Sequence, residues 1–184
     1  DSDELDGPTF TWVDITGVGT RIAMSGDDAN TGTFPIGFDF PFYGKSFNTF
    51  RACTNGWISF SSNKTTFSNT TLPNTGSTVP ENMLAAFWDD LHFDTTQRAY
   101  YYNDGTRLIV QYQGVRRVGE SATTNPNTFE IILYPSGTIV YQYLTMSASN
   151  KTSATIGVQN ETRNDGLQVV FNATYVKNNL AIRF

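Results

Sequence analysis

Apolar and polar positions alternate along much of the chain with a period of two, the repeat of an extended strand that buries one face. In PTFTWVDI, Phe10 and Trp12 stand on one parity against Thr11, Val13 and Ile15, which predicts a first strand ended by Gly17 and Gly19. In TFPIGFDFPFYGKSFNTF, Phe34, Ile36, Phe38, Phe40 and Phe42 share a parity and would line one face. Pro35 and Pro41 confine that strand to an edge or an interruption, because neither can donate to a ladder. Asn55-Gly56 separates the two apolar arms of FRACTNGWISF, a dipeptide suited to the positive φ angles of a tight hairpin. Further paired runs flank Asn103-Asp104-Gly105, Pro135-Ser136-Gly137 and Asp165-Gly166, and NLAIRF supplies a closing strand. Hairpins at this rhythm, with no βαβ spacing, predict an all-β fold, an antiparallel, jelly-roll-like β-sandwich built of successive hairpins.

Two stretches fall outside the alternation. Residues 61–82 are rich in Ser, Thr, Asn and Pro and read as a long surface loop joining two β blocks. Residues 1–8 read as a flexible N-terminal segment, with the acidic start a processed N-terminus or a boundary. The whole length of 184 residues fits one sandwich domain, 1–184.

Composition sharpens this. The chain holds 14 Phe, 9 Tyr and 15 Gly with only 16% charged residues, so Glu and Lys pairs of the kind that support surface helices are nearly missing. Its net charge of -5 and the absence of a Lys/Arg stripe exclude nucleic acid as a partner. No apolar run approaches the roughly 18 residues of a membrane span, so no membrane insertion is expected. The single cysteine, Cys53, can form neither an internal disulfide nor a cysteine zinc site and reads as a small buried hydrophobe. Sequons at Asn63, Asn69, Asn150, Asn160 and Asn172, amid abundant Thr and Ser, suit a secreted or cell-surface protein. LPNTG at Leu72–Gly76 spells a sortase pattern without the apolar tail such a signal needs, and reads as coincidence.

Candidate chemistry centres on MLAAFWDDLHFD, residues 83–94, where an apolar run ends in Asp89, Asp90 and the only histidine, His92. In an extended segment the two adjacent carboxylates point to opposite faces and make a poor acid/base pair. No GxSxG elbow or multi-histidine metal set is present, which leaves a carboxylate-dependent hydrolase on Asp89, Asp90 or His92 as the weaker reading. Oxygen-rich groups suit calcium better: Asp89, Asp90 and Asp94, with Asp27 and Asp28 of the loop SGDDANTG, are the candidate ligands for a structural Ca2+ ion. The alternative for these carboxylates is structural, capping backbone N–H groups at a strand end. The loop lacks the EF-hand pattern. Among the aromatics, Tyr100, Tyr102 and Trp88 are the candidate contacts for a ligand, against the reading that alternating aromatics on strands form the core.

The succession GDDxxTGxFPIGFDFPFYGKSFNTF, CTNGWISF, LAAFWDDL, FEIILYPSGTIVYQY, SATIGVQN and NLAIRF resembles a β-sandwich module of secreted bacterial proteins, often attached to subtilisin-like or other exported peptidases or to surface proteins. PFYG, TNGWISF and AAFWDD are similar to the nidogen-like domain of extracellular matrix proteins. The resemblance spans Thr9 to Phe184. It implies a non-catalytic accessory or adhesion module that binds an extracellular protein or glycan, beside a neighbouring domain of a parent chain. A structural subunit or spacer assembling by strand exchange is the alternative.

Overall fold

The computed structural model describes residues 1–120, 126–147 and 151–184. Among these residues the strands run in chain order: β1 (Thr20–Ile22), β2 (Gly26–Asp27), β3 (Asn30–Phe42), β4 (Lys45–Cys53), β5 (Trp57–Ser59), β6 (Met83–Trp88), β7 (Leu91–Phe93), β8 (Arg98–Asn103), β9 (Leu108–Arg117), β10 (Asn127–Leu133), β11 (Ile139–Thr145), β12 (Thr155–Gln159), β13 (Gly166–Phe171) and β14 (Leu180–Arg183). One sheet has the order β1-β8-β9-β10-β11-β14, with β7 also on β9 and β2 on β7; the other is β13-β12-β6-β5-β4-β3. Every pairing is antiparallel. This is the expected β-sandwich. The turns read from the sequence join β4 to β5, β8 to β9, β10 to β11 and β12 to β13, and the proline-bearing β3 is an edge strand.

Alternation places Leu108, Val110 and Tyr112 of β9, Phe129, Ile131 and Leu133 of β10, and Ile139, Tyr141 and Tyr143 of β11 between the sheets. The opposing sheet supplies Ile36, Phe40, Phe50, Ile58, Leu84 and Ile156. Three of the tyrosines carry their hydroxyls across the core. Tyr112 donates to the Cys53 and Trp57 carbonyls at 2.8 and 3.1 Å, Tyr141 to Gly157 at 3.1 Å and Tyr143 to Ala86 at 2.6 Å. Each ring thus buries apolar surface and satisfies its one polar group on the facing sheet.

The middle of each outer face is covered by an irregular segment. Residues 8–15, expected as a first strand, form none. The Thr11 amide donates to Gln142 Oε1 at 2.6 Å, Gln142 Nε2 returns a bond to the Thr11 carbonyl at 2.7 Å, and the Ile15 amide donates to Gln111 Oε1 at 2.9 Å. The segment therefore straps across β9–β11 on side-chain amides, and Ile15 packs on Ile109 and Ile132 beneath it. The first strand is Thr20–Ile22 instead. Residues 61–82, which carry no strand, cover the outer face of the second sheet in the same manner. Leu72 and Val79 pack over Cys53, Trp57, Met83, Ala85 and Trp88, while the Leu72 and Asn74 amides donate to Gln168 and Gln159 at 2.9 and 3.0 Å. The LPNTG stretch belongs to this cover.

The N-terminal segment rests on β14. The Ser2 amide donates to the Ala181 carbonyl at 2.8 Å, the Ala181 amide returns to Ser2 Oγ at 3.1 Å, and Lys177 pairs with Asp3 at 2.5 Å.

Candidate functional site

The stretch 83–94 begins as β6 at the centre of the second sheet and crosses at Asp89 and Asp90 to β7, which pairs with β9 of the first. All six residues of β6 are buried, and the chain leaves the core at Asp89 and Asp90. Asn55, in the β4–β5 turn, organises this exit. Its side-chain carbonyl accepts from the Leu91 amide at 2.9 Å, and its amide group donates to Asp28 Oδ1 at 2.8 Å and to the Thr65 carbonyl at 3.0 Å. The turn needs glycine next to it: Gly56 has φ +77, and a Cβ there would stand 2.0 Å from the Phe87 carbonyl oxygen.

Asp89 is 2% exposed and its oxygens are taken. Oδ1 accepts from Arg117 Nε at 3.2 Å and from the Asp90 amide at 2.8 Å, and Oδ2 accepts from the Ser153 hydroxyl. These contacts pin the strand end to Arg117 and to Ser153. Asp94 also stands apart from the proposed ligand set. Its Oδ1 caps the Thr96 amide at 2.9 Å and its Oδ2 faces Arg116 at 3.4 Å, contacts that hold its carboxyl below the usual range, the Thr96 amide foremost.

The remaining three expected ligands converge. One carboxylate oxygen each from Asp27, Asp28 and Asp90 lies within 4.8 Å of the others. Asp27 is held by the short β2–β7 ladder, opposite His92, and Asp28 follows it at φ 51, a left-handed conformation aspartate tolerates better than most residues. The Asp90 carboxyl is raised, by burial first, then by Asp27, Asp28 and Asp89, with Arg117 opposing. Calcium binds oxygens at about 2.3–2.6 Å, so three oxygens spaced in this way can share one such ion.

The candidate aromatic contacts separate. Trp88 is 0% exposed and donates its indole N–H to the Thr66 carbonyl at 2.9 Å; it is core beneath the 61–82 cover and presents no contact surface. Tyr100 packs against the cluster under the strap, leaving Tyr102, 37% exposed, at the surface. Cys53 is buried, with its thiol pushed up to about 12 chiefly by burial, as a core residue should be. Of the sequons, Asn63 is exposed, whereas Asn69 donates its side-chain amide to the Ser153 carbonyl, Thr155 Oγ1 and Asn172 Oδ1. Asn150 lies outside the described residues.

Sequence reading missed a buried polar row on the outer face of the first sheet. Glu130 pairs in register with Gln111 on one side and Gln142 on the other, and all three are buried. Glu130 Oε1 accepts from Gln142 Nε2 at 2.7 Å, whereas Oε2 has no partner among the described residues. Burial raises this carboxyl to about 8, against the Val13 amide, Gln142 and Arg107, which lower it, and with Asp14, which adds to the rise. Polar residues at strand parity normally mark a solvent face; only the covering strap reveals them as interior.

Among the described residues no helix is long and apolar enough to cross a membrane. No curated protein and no solved structure matches the chain significantly. A family model described as NIDO related matches residues 5–182, from before the strap into the last strand. With nearly its whole length matched, the chain belongs to the NIDO-related, or nidogen-related, family.

Proposed function

We propose that this domain is an extracellular, non-catalytic recognition module that contacts a protein or glycan through the loops at the ends of the sandwich. In this reading Asp27, Asp28 and Asp90 hold a structural calcium ion, and the domain serves as an accessory or adhesion unit of a secreted bacterial chain beside a neighbouring domain. Membership of the nidogen-related family supports the extracellular setting. The observation that carries the reading is the cover that residues 8–16 and 61–82 place over the middle of each sheet's outer face, which favours the loops at the ends as the contact surface. The convergence of the three carboxylates at one end is what favours a cation there.

Two experiments test it. Calcium titrated into the intact chain should bind and raise the melting temperature, since a ligand that binds only the folded state stabilises it, and Asp28→Asn should abolish both effects. Absence of heat and of any melting shift removes the calcium role. Immobilised extracellular matrix proteins and a glycan array test recognition, and failure to bind any of them leaves only a spacer.

A second reading, assembly by strand exchange, is favoured by the Ser2–Ala181 pairing, which an N-terminal segment from another copy could make equally well. Light scattering that finds only monomer at high concentration removes it.

A further inference from the structure

The end of the sandwich opposite the carboxylates carries an aromatic ridge. Phe42 and Lys45 pair across a two-residue turn, Tyr43-Gly44, with φ of 46° and 74°. Positive φ at both positions defines a turn that favours Asn-Gly, because a tyrosine Cβ is crowded in the left-handed region. Here the first position is tyrosine, and its ring is 42% exposed although it packs edge-on against Phe42 at 4.7 Å. An outlier of this kind points from geometry toward a role for the side chain.

The ring divides two hollows. On one side is an apolar groove of about 320 Å³ bounded by Pro41, Ile139, Val158, Leu167 and Phe184, with Leu167 56% exposed. On the other is a cleft of about 190 Å³ edged by Lys45, Asn82, Asn160, Glu161 and Thr162. Lys45 and Glu161 pair with each other, so the cleft presents amide, hydroxyl and carboxylate groups with no net charge of its own. A pyranose ring has the matching asymmetry: an apolar C–H face that stacks on an aromatic ring or apolar wall, and a hydroxyl edge that takes hydrogen bonds. An ionic ligand would have to break the Lys45–Glu161 pair, and an apolar peptide would leave the polar cleft unused.

We propose that Tyr43 is the stacking platform of a binding site for a neutral, hexose-containing glycan, with the apolar groove under the sugar face and Asn160, Glu161 and Thr162 reaching its hydroxyls. This rests on the recognition reading above and names its site and ligand class.

The test is binding of the intact chain to an array of neutral oligosaccharides of glucose, galactose, mannose and N-acetylglucosamine, followed by titration of the strongest. Tyr43→Asn should weaken binding by roughly tenfold or more, the scale of one aromatic contact, without lowering the melting temperature, because asparagine accepts the left-handed turn. Tyr43→Phe should keep binding, and Leu167→Glu, at an exposed position of the groove, should lose it. Wild-type affinity in both Tyr43→Asn and Leu167→Glu overturns the site while leaving glycan recognition intact. An array on which no neutral oligosaccharide binds overturns the ligand class, and recognition is then decided by the matrix-protein experiment.

Discussion

Several of the residues that matter most carry polar atoms into dry surroundings. The Tyr112 hydroxyl shares its one proton between two carbonyls of the facing sheet, so Tyr112→Phe removes that shared bond at nearly unchanged volume. The expected loss is about 1–3 kcal/mol, read from urea unfolding. Glu130 acts through pH. Its carboxyl is raised from 4.5 to about 8 in the fold, so the folded state holds a proton the unfolded chain releases. The stability it contributes is complete below 4.5 and is lost as pH rises through about 8. Glu130→Gln should flatten the fall in melting temperature across that window; an unchanged slope would show that the carboxyl does not titrate beneath the strap. The residue-level sequence reading found Asp27, Asp28 and Asp90 as candidates because aspartate is a hard oxygen donor wherever it stands. It grouped Asp89 and Asp94 with them, whereas in the fold those two face Arg117 and Arg116, which come from β9 and which no local pattern announces.

Elements were legible where their hydrogen bonds are local. The turns at Asn55-Gly56, Asp104-Gly105 and Pro135-Ser136-Gly137 join strands adjacent in sequence, and short-range chemistry suffices to place them. The strap was misread because alternation reports which side chains are covered, not which groups receive the backbone bonds. PTFTWVDI alternates like a strand but bonds to glutamine side chains from β9 and β11. Gln142→Ala removes both bonds to Thr11 and the one to Glu130 together. It should cost about 2 kcal/mol or more, since buried groups are left unpaired, and should raise proteolytic cleavage within residues 8–16. Equal protease resistance in the variant would mean that apolar packing alone holds the strap.

At the scale of the molecule, the sandwich covers the middle of each broad face and presents two ends. β6 runs from one end to the other, Asn82 beside the tyrosine ridge and Asp90 beside Asp27 and Asp28, a separation of roughly 25 Å at the rise of an extended chain. The ends are thus chemically unlike, one aromatic and neutral, the other acidic, and the proposed recognition through them requires that the covers over the two sheets stay in place. Hydrogen exchange of the free chain measures that condition directly. The amides of Thr11 and Ile15 in the strap, and of Leu72 and Asn74 in the second cover, should exchange slowly, together with the strands beneath them. Exchange at these four amides as fast as at exposed loop positions would mean that the faces stand open, and would contradict recognition through the ends.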